Sequence, residues 1–165
     1  MQIIVEIAKD VQEWNDHKYI NKTLIKKILR NVLMRFKCFE PVKNFELSIL
    51  LTNDDRMQAL NGEFRNKQKP TNVLSFPDIE LNRQGLLEFK PDLNYMYLGD
   101  IAFGYQTIKS EAIALEKSFK DRFTHLLVHS ILHLIGFDHQ NEKDANEMES
   151  LEIEILKDFA ITNLY

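Results

Sequence analysis

One cysteine, Cys38, excludes an internal disulfide and fits a reducing compartment, with the cytoplasm as the expectation. The chain has no run of eighteen apolar residues, so no segment reads as a transmembrane helix. Glycine and proline are scarce, five and four in 165 residues, and neither clusters into a linker or low-complexity segment. Positive charge is not in excess: the net charge is −4, which gives no bulk electrostatic case for nucleic-acid binding. The opening MQIIVEIAKD lacks a basic n-region and a cleavage site, and reads as a first strand rather than a signal peptide.

What remains is enough for a core without staples. Apolar residues make up 44% of the chain and charged residues 28%, the balance of an ordinary globular protein. Length and composition predict one domain over 1–165. Charge is uneven: Lys18 to Lys37 is basic, Arg65, Lys67 and Lys69 form a second basic cluster, and acidic residues concentrate from Glu142 to Asp158. A locally basic surface is compatible with a polyanion; solvated helix faces explain the first segment equally well.

Hydrophobic periodicity sets the expected elements. IIVEIA near the start suits an edge strand. Asn21 or Thr23 caps a helix with Leu24, Ile25, Ile28, Leu29, Val32, Leu33 and Phe36 on one face. Phe45 to Leu51 reads as a strand, and Asn53 or Asp54 caps a short helix through Leu60, which Asn61-Gly62 weakens. Val73 to Phe76 is a short strand stopped by Pro77; 78–97 reads as a loop or irregular hairpin; Leu98 to Phe103 is a strand broken by Gly99. Three helices follow: one capped by Thr107 and running to about Ser118, one from about Lys120 to Ile135, and one from about Lys143 to Phe159 that buries Met148, Leu151, Ile155 and Phe159. The expected fold is α+β, a small mixed sheet packed with helices, with the middle of the last three helices central and buried.

That helix carries the chemistry. His129 and His133 lie four apart in HSILHLIGFDH, on one helix face. Gly136, three residues on, suits a left-handed helix end, and the turn brings His139 back toward the pair. Three neutral imidazoles can hold a zinc-like ion and leave a fourth position open, the mark of a catalytic site. Zn, Ni, Cu and Fe all suit imidazole, with zinc the expected ion. His125, one turn upstream, is either a supporting group or an ordinary helix residue. Asp138 is either a partner for a ligand histidine or a turn residue.

The spacing H-x-x-x-H-x-x-G-x-x-H matches the ligand skeleton of metzincin proteases, but the general-base Glu of those enzymes is Ser130 here. HSILHLIGFDH also resembles the H-G-x-L-H-L-x-G-[YF]-D-H signature of the YbeY family of metal-dependent endoribonucleases. FRNKQKPTNVLSFP resembles that family's [YF]-R-x-K-[DN]-K-P-T-D-V-L-S-F-P block. LGDIAFG resembles its L-G-D-I-x-I strand, and NEKDANEMESLEIEIL its acidic closing helix. These blocks run in order from about Leu50 to Leu156. Ser130 stands where the family has Gly, Asn72 where it has Asp, and Gln68 where it has an acidic or amide residue.

The resemblance implies a zinc-dependent, single-strand-specific endoribonuclease acting on ribosomal RNA during maturation and quality control of the ribosome. It implies His129, His133 and His139 as metal ligands and, with Arg65, as the catalytic set. An Arg at position 65 can grip phosphate through paired hydrogen bonds. Lys67 and Lys69 add phosphate affinity or are simply solvated; Ser75 and Phe76 would line the cleft; Asp100 is structural or supporting. Two alternatives stand beside this: a peptidase or amidase on the same histidines, and a non-catalytic ribosome- or RNA-binding assembly factor with structural zinc. The last requires a fourth protein ligand, for which Cys38 and Asp138 are the candidates.

Overall fold

The computed structural model describes residues 1–164. Four strands, β1 (Gln2–Lys9), β2 (Asn44–Thr52), β3 (Val73–Pro77) and β4 (Met96–Gly104), form one sheet in the order β1-β2-β4-β3. β1, β2 and β4 run parallel, and β3 lies antiparallel to β4, so the sheet is mixed as expected. β1 occupies one edge and β3 the other.

Period-two side chains give the sheet two buried faces. Phe45, Leu47, Ile49 and Leu51 of β2 point into the main core. Leu50 points the other way, into a smaller cluster with Met57, Leu74 and Ala102. Six helices cover these faces: α1 (Lys22–Leu33), α2 (Asp54–Arg65), α3 (Arg83–Glu88), α4 (Tyr105–Ala114), α5 (Phe119–Leu134) and α6 (Glu142–Lys157). α1 and α5 contribute to the main core, and α2 closes the smaller cluster through Met57 and Leu60. α5 touches α1, α4, α6, β3 and β4, and Phe123 to Val128 are buried without a break.

Several boundaries differ from the sequence expectation. α1 is capped by Asn21, whose side chain accepts from Leu24 N, and ends at Leu33, short of Phe36. α2 continues through Asn61-Gly62 to Arg65. The Asn61 amide is buried and donates to Lys69 O (2.9 Å), and the Gln68 side chain fills the space that a Cβ on Gly62 would need. Asn66, at φ 55°, then ends the helix in the left-handed region. β4 bulges at Leu98, just before Gly99, opposite Glu46 and Leu47 of β2. At φ 131° a Cβ on Gly99 would lie 2.2 Å from Phe76 O, so glycine permits the close approach of β3.

The stretch 78–97 contains α3, a short helix capped by Asn82, where a loop or hairpin was expected. α4 begins at Tyr105, and Thr107 is not its cap. Instead Asp54 of α2 accepts from Thr107 N (3.0 Å) and Oγ1 (2.7 Å), a cap delivered from another element. Ser118 caps α5 through Asp121 N rather than closing α4.

Candidate metal centre

Helix α5 ends in a double hydrogen-bonded turn: Gly136 N donates to His133 O and Phe137 N to Leu132 O. Gly136 has φ 106° and its missing Cβ faces Leu81 at 3.0 Å, so a side chain here meets both strain and crowding. This turn returns the chain across the end of α5 and sets His139 beside His129 and His133. One ring nitrogen from each of the three lies within 4.8 Å of the others. The ring centroids are 4.5 Å (129–133), 4.9 Å (133–139) and 5.4 Å (129–139) apart. His129 and His133 are half-buried, and His139 is exposed.

The hydrogen bonds behind the rings set which nitrogens face inward. His133 Nδ1 lies 2.9 Å from Phe137 O; a carbonyl only accepts, so the ring proton sits on Nδ1. His129 Nδ1 lies 2.5 Å from Glu152 Oε1, whose carboxylate also only accepts when ionised. Both Nε2 lone pairs therefore point at each other, 3.0 Å apart. Two lone pairs at that distance repel unless a cation lies between or beside them. Tetrahedral zinc with Zn–N of ~2.0–2.1 Å would set them ~3.3 Å apart, a small adjustment. Burial, and then the neighbouring rings of His129 and His139, push the His133 pKa down to about 4, which keeps it neutral and fit to ligate near pH 7. Donor type, lone-pair direction and spacing all fit a divalent ion such as zinc.

Glu152 was not singled out by sequence. It lies on α6, is 1% exposed, and also approaches His125, with Nε2 3.6 Å from its Oε2. His125 in turn sits 3.4 Å from Arg122 Nη1, and Arg122 pairs with Glu111 at 2.7 Å. Glu111 accepts from the Asn72 amide at the start of β3 (3.1 Å). A continuous polar chain thus runs from Asn72 through α4, α5 and α6 to the back of His129. Asn72, the residue standing in place of the family's Asp, donates to that chain, which an ionised carboxylate cannot do. The sequence did contain a signal for Glu152: it falls on the buried stripe Met148, Glu152, Ile155, Leu156 of an amphipathic helix. Met148 is ordinary core.

Asp138 takes the turn role, accepting from its own neighbour's amide, His139 N (2.7 Å). Cys38 packs against the main core, where burial raises its thiol pKa. Neither belongs to the three-histidine grouping among the described residues. Ser130 is buried on α5, and its Oγ has no hydrogen-bond partner among the described residues. Asp100 is exposed on β4, near Tyr97, whose pKa is raised by burial and further by the Asp100 charge.

Arg65, the last residue of α2, hooks over the free edge of β3: Nη2 donates to Ser75 O (2.9 Å), and the guanidinium lies 5.7 Å from the Phe76 ring. β3 packs against α5 on the sheet's main-core face. α5, the helix that carries His129 and His133, thus packs on the strand whose edge Arg65 meets. Lys67 and Lys69 are exposed in the loop that follows α2.

The family model described as Endoribonuclease YbeY matches residues 10–160. An Endoribonuclease YbeY of Agrobacterium fabrum (strain C58) is 38% identical, the alignment covering 98% of this chain and 94% of that protein. The solution structure of TM1509 from Thermotoga maritima shares the fold, with a TM-score of 0.54 at 17% identity over 95% of this chain and 92% of that one. No helix is long and apolar enough to cross a membrane among the described residues. On the family match and the near-full-length identity, the chain belongs to the YbeY family of hydrolytic endoribonucleases.

Proposed function

We propose that this chain, acting as one domain over 1–165 in the cytoplasm, is a zinc-dependent, single-strand-specific endoribonuclease of ribosomal RNA maturation. The observation that carries the catalytic part is the convergence of the His129 and His133 Nε2 lone pairs with His139; Arg65 adds a cation on β3, the strand α5 packs against. The RNA substrate and ribosomal role rest on family membership.

His129, His133 and His139 would hold the ion, with Glu152 and Phe137 O fixing the first two rings. Zinc held there would supply Lewis acidity to a phosphodiester and acidify water. Arg65 supplies the complementary grip. Ser75 O occupies one donor of its fork and orients it, and the remaining donors can bind a phosphate oxygen and offset its developing charge. Nothing favours the peptidase alternative: Ser130, where a protease needs its general base, is buried away from solvent. A structural-zinc reading lacks a fourth protein ligand in the described grouping.

Arg65→Ala tests the division of roles. Cleavage of single-stranded RNA should fall about 100- to 1,000-fold, the usual cost of one positioned donor to a transition-state charge, while bound zinc stays stoichiometric. Loss of zinc in step with activity would contradict the phosphate-gripping role.

A further inference from the structure

We infer that Phe64 and Phe76 form a platform on which one unpaired nucleobase of the RNA stacks, with Arg65, Lys67 and Lys69 holding the phosphates beside it. The inference rests on the RNA reading above and names how that site selects single strands.

Of the eleven phenylalanines, Phe64 is the one exposed to solvent, at 53%. It sits in the last turn of α2 and packs edge-to-face on Phe76, with centroids 5.2 Å apart at 69°. Phe76 is anchored in the small cluster under α2, so Phe64 is braced by a fixed ring rather than waving free. The Arg65 guanidinium extends the same surface over Phe76, and its tie to Ser75 O holds it there.

Charge around the rings is mostly positive. Residues 63–70 are all exposed and contain Arg65, Lys67 and Lys69 against Glu63 alone, three positive and one negative. The protein as a whole is acidic, so this loop is a local reversal. The loop is also held in place: Lys69 O accepts from Asn61 and Gln68 O from the Gln58 amide (3.3 Å), bonds that use backbone and leave the lysine side chains outward. An exposed aromatic face bordered by cations suits a nucleobase flanked by phosphates. A base inside a duplex has both faces covered by its neighbours, so such a platform favours unpaired strands.

The test uses metal-loaded protein and a short single-stranded RNA carrying one 2-aminopurine, with a matched strand abasic throughout. Binding is read by stopped flow before cleavage, and cleavage of the base-containing strand is followed separately. Wild type should quench 2-aminopurine on binding. Phe64→Ala should weaken the base-containing strand about tenfold, within the usual range for one stacked base, and the abasic strand less than twofold. Phe64→Trp should restore affinity. Lys67→Ala should weaken both strands alike and lower the salt dependence. An equal loss on both strands, or no loss, overturns the platform even while wild type cleaves RNA. A wild type that neither binds nor cleaves overturns the RNA reading itself, and the platform with it.

Discussion

Replacing Glu152 by Gln asks whether the buried carboxylate serves the metal or the fold. The side chain is 2% exposed and meets His129 Nδ1 at 2.5 Å, a charge-assisted hydrogen bond. Gln keeps the shape and an accepting oxygen but removes the charge. Charged hydrogen bonds contribute ~1.5–3 kcal/mol and neutral ones ~0.5–1.5, so the change costs about 1–1.5 kcal/mol in holding His129 for the ion. At 1.4 kcal/mol per decade, zinc affinity should fall about 5- to 12-fold; Glu152→Ala, with no acceptor left, should lose up to about 100-fold.

The fold should respond differently. Gln strands no buried ion, because it replaces the carboxylate itself and leaves a neutral ring beside a neutral amide. The metal-free Gln variant should therefore melt within about 4 °C of wild type. Chelator-competition titration gives the affinity and thermal unfolding in EDTA gives the stability. Unchanged zinc affinity, or collapse of the metal-free protein, would refute the reasoning.

Two further outcomes follow from the same geometry. Ser130→Ala removes a buried hydroxyl without a partner, so it should stabilise the protein by about 1 kcal/mol in urea melts and leave RNA cleavage unchanged; a large activity loss would mean the hydroxyl takes part in the reaction. His133, with its pKa lowered from 6.5 to about 4, binds its proton more weakly folded than unfolded. Its contribution to metal-free stability is therefore full above about pH 6.5 and is lost as pH falls toward about 4. His133→Asn, which retains a donor for Phe137 O, should show a shallower decline over that window; an identical slope would contradict the assignment.

The convergence of the three histidines was legible because its determinants are local: two histidines one helical turn apart, a glycine where the helix must reverse, and a third histidine on the returning segment. Strand identities were legible for the same reason, since Phe45 to Leu51 alternates over one sheet face. What sequence did not reveal depends on contacts between distant segments. α2 outlasts Asn61-Gly62 because Lys69 O and Gln68 come back onto it. α4 starts early because Asp54 reaches across to Thr107. Glu152 reads as one acid among many in NEKDANEMESLEIEIL until α6 is laid on α5 and the buried stripe is seen to include it. α3 is six residues long and contains Gly85, too short and too weak in propensity to stand out.

The central claim is that ribonuclease chemistry depends on the three-histidine centre. Cleavage of a defined single-stranded RNA by metal-loaded wild type and by His133→Ala, with zinc content measured on both preparations, tests it most directly. Cleavage by wild type alone, with zinc lost in the variant, is the expected result. Equal cleavage by both, or none by wild type carrying its full zinc, would contradict it.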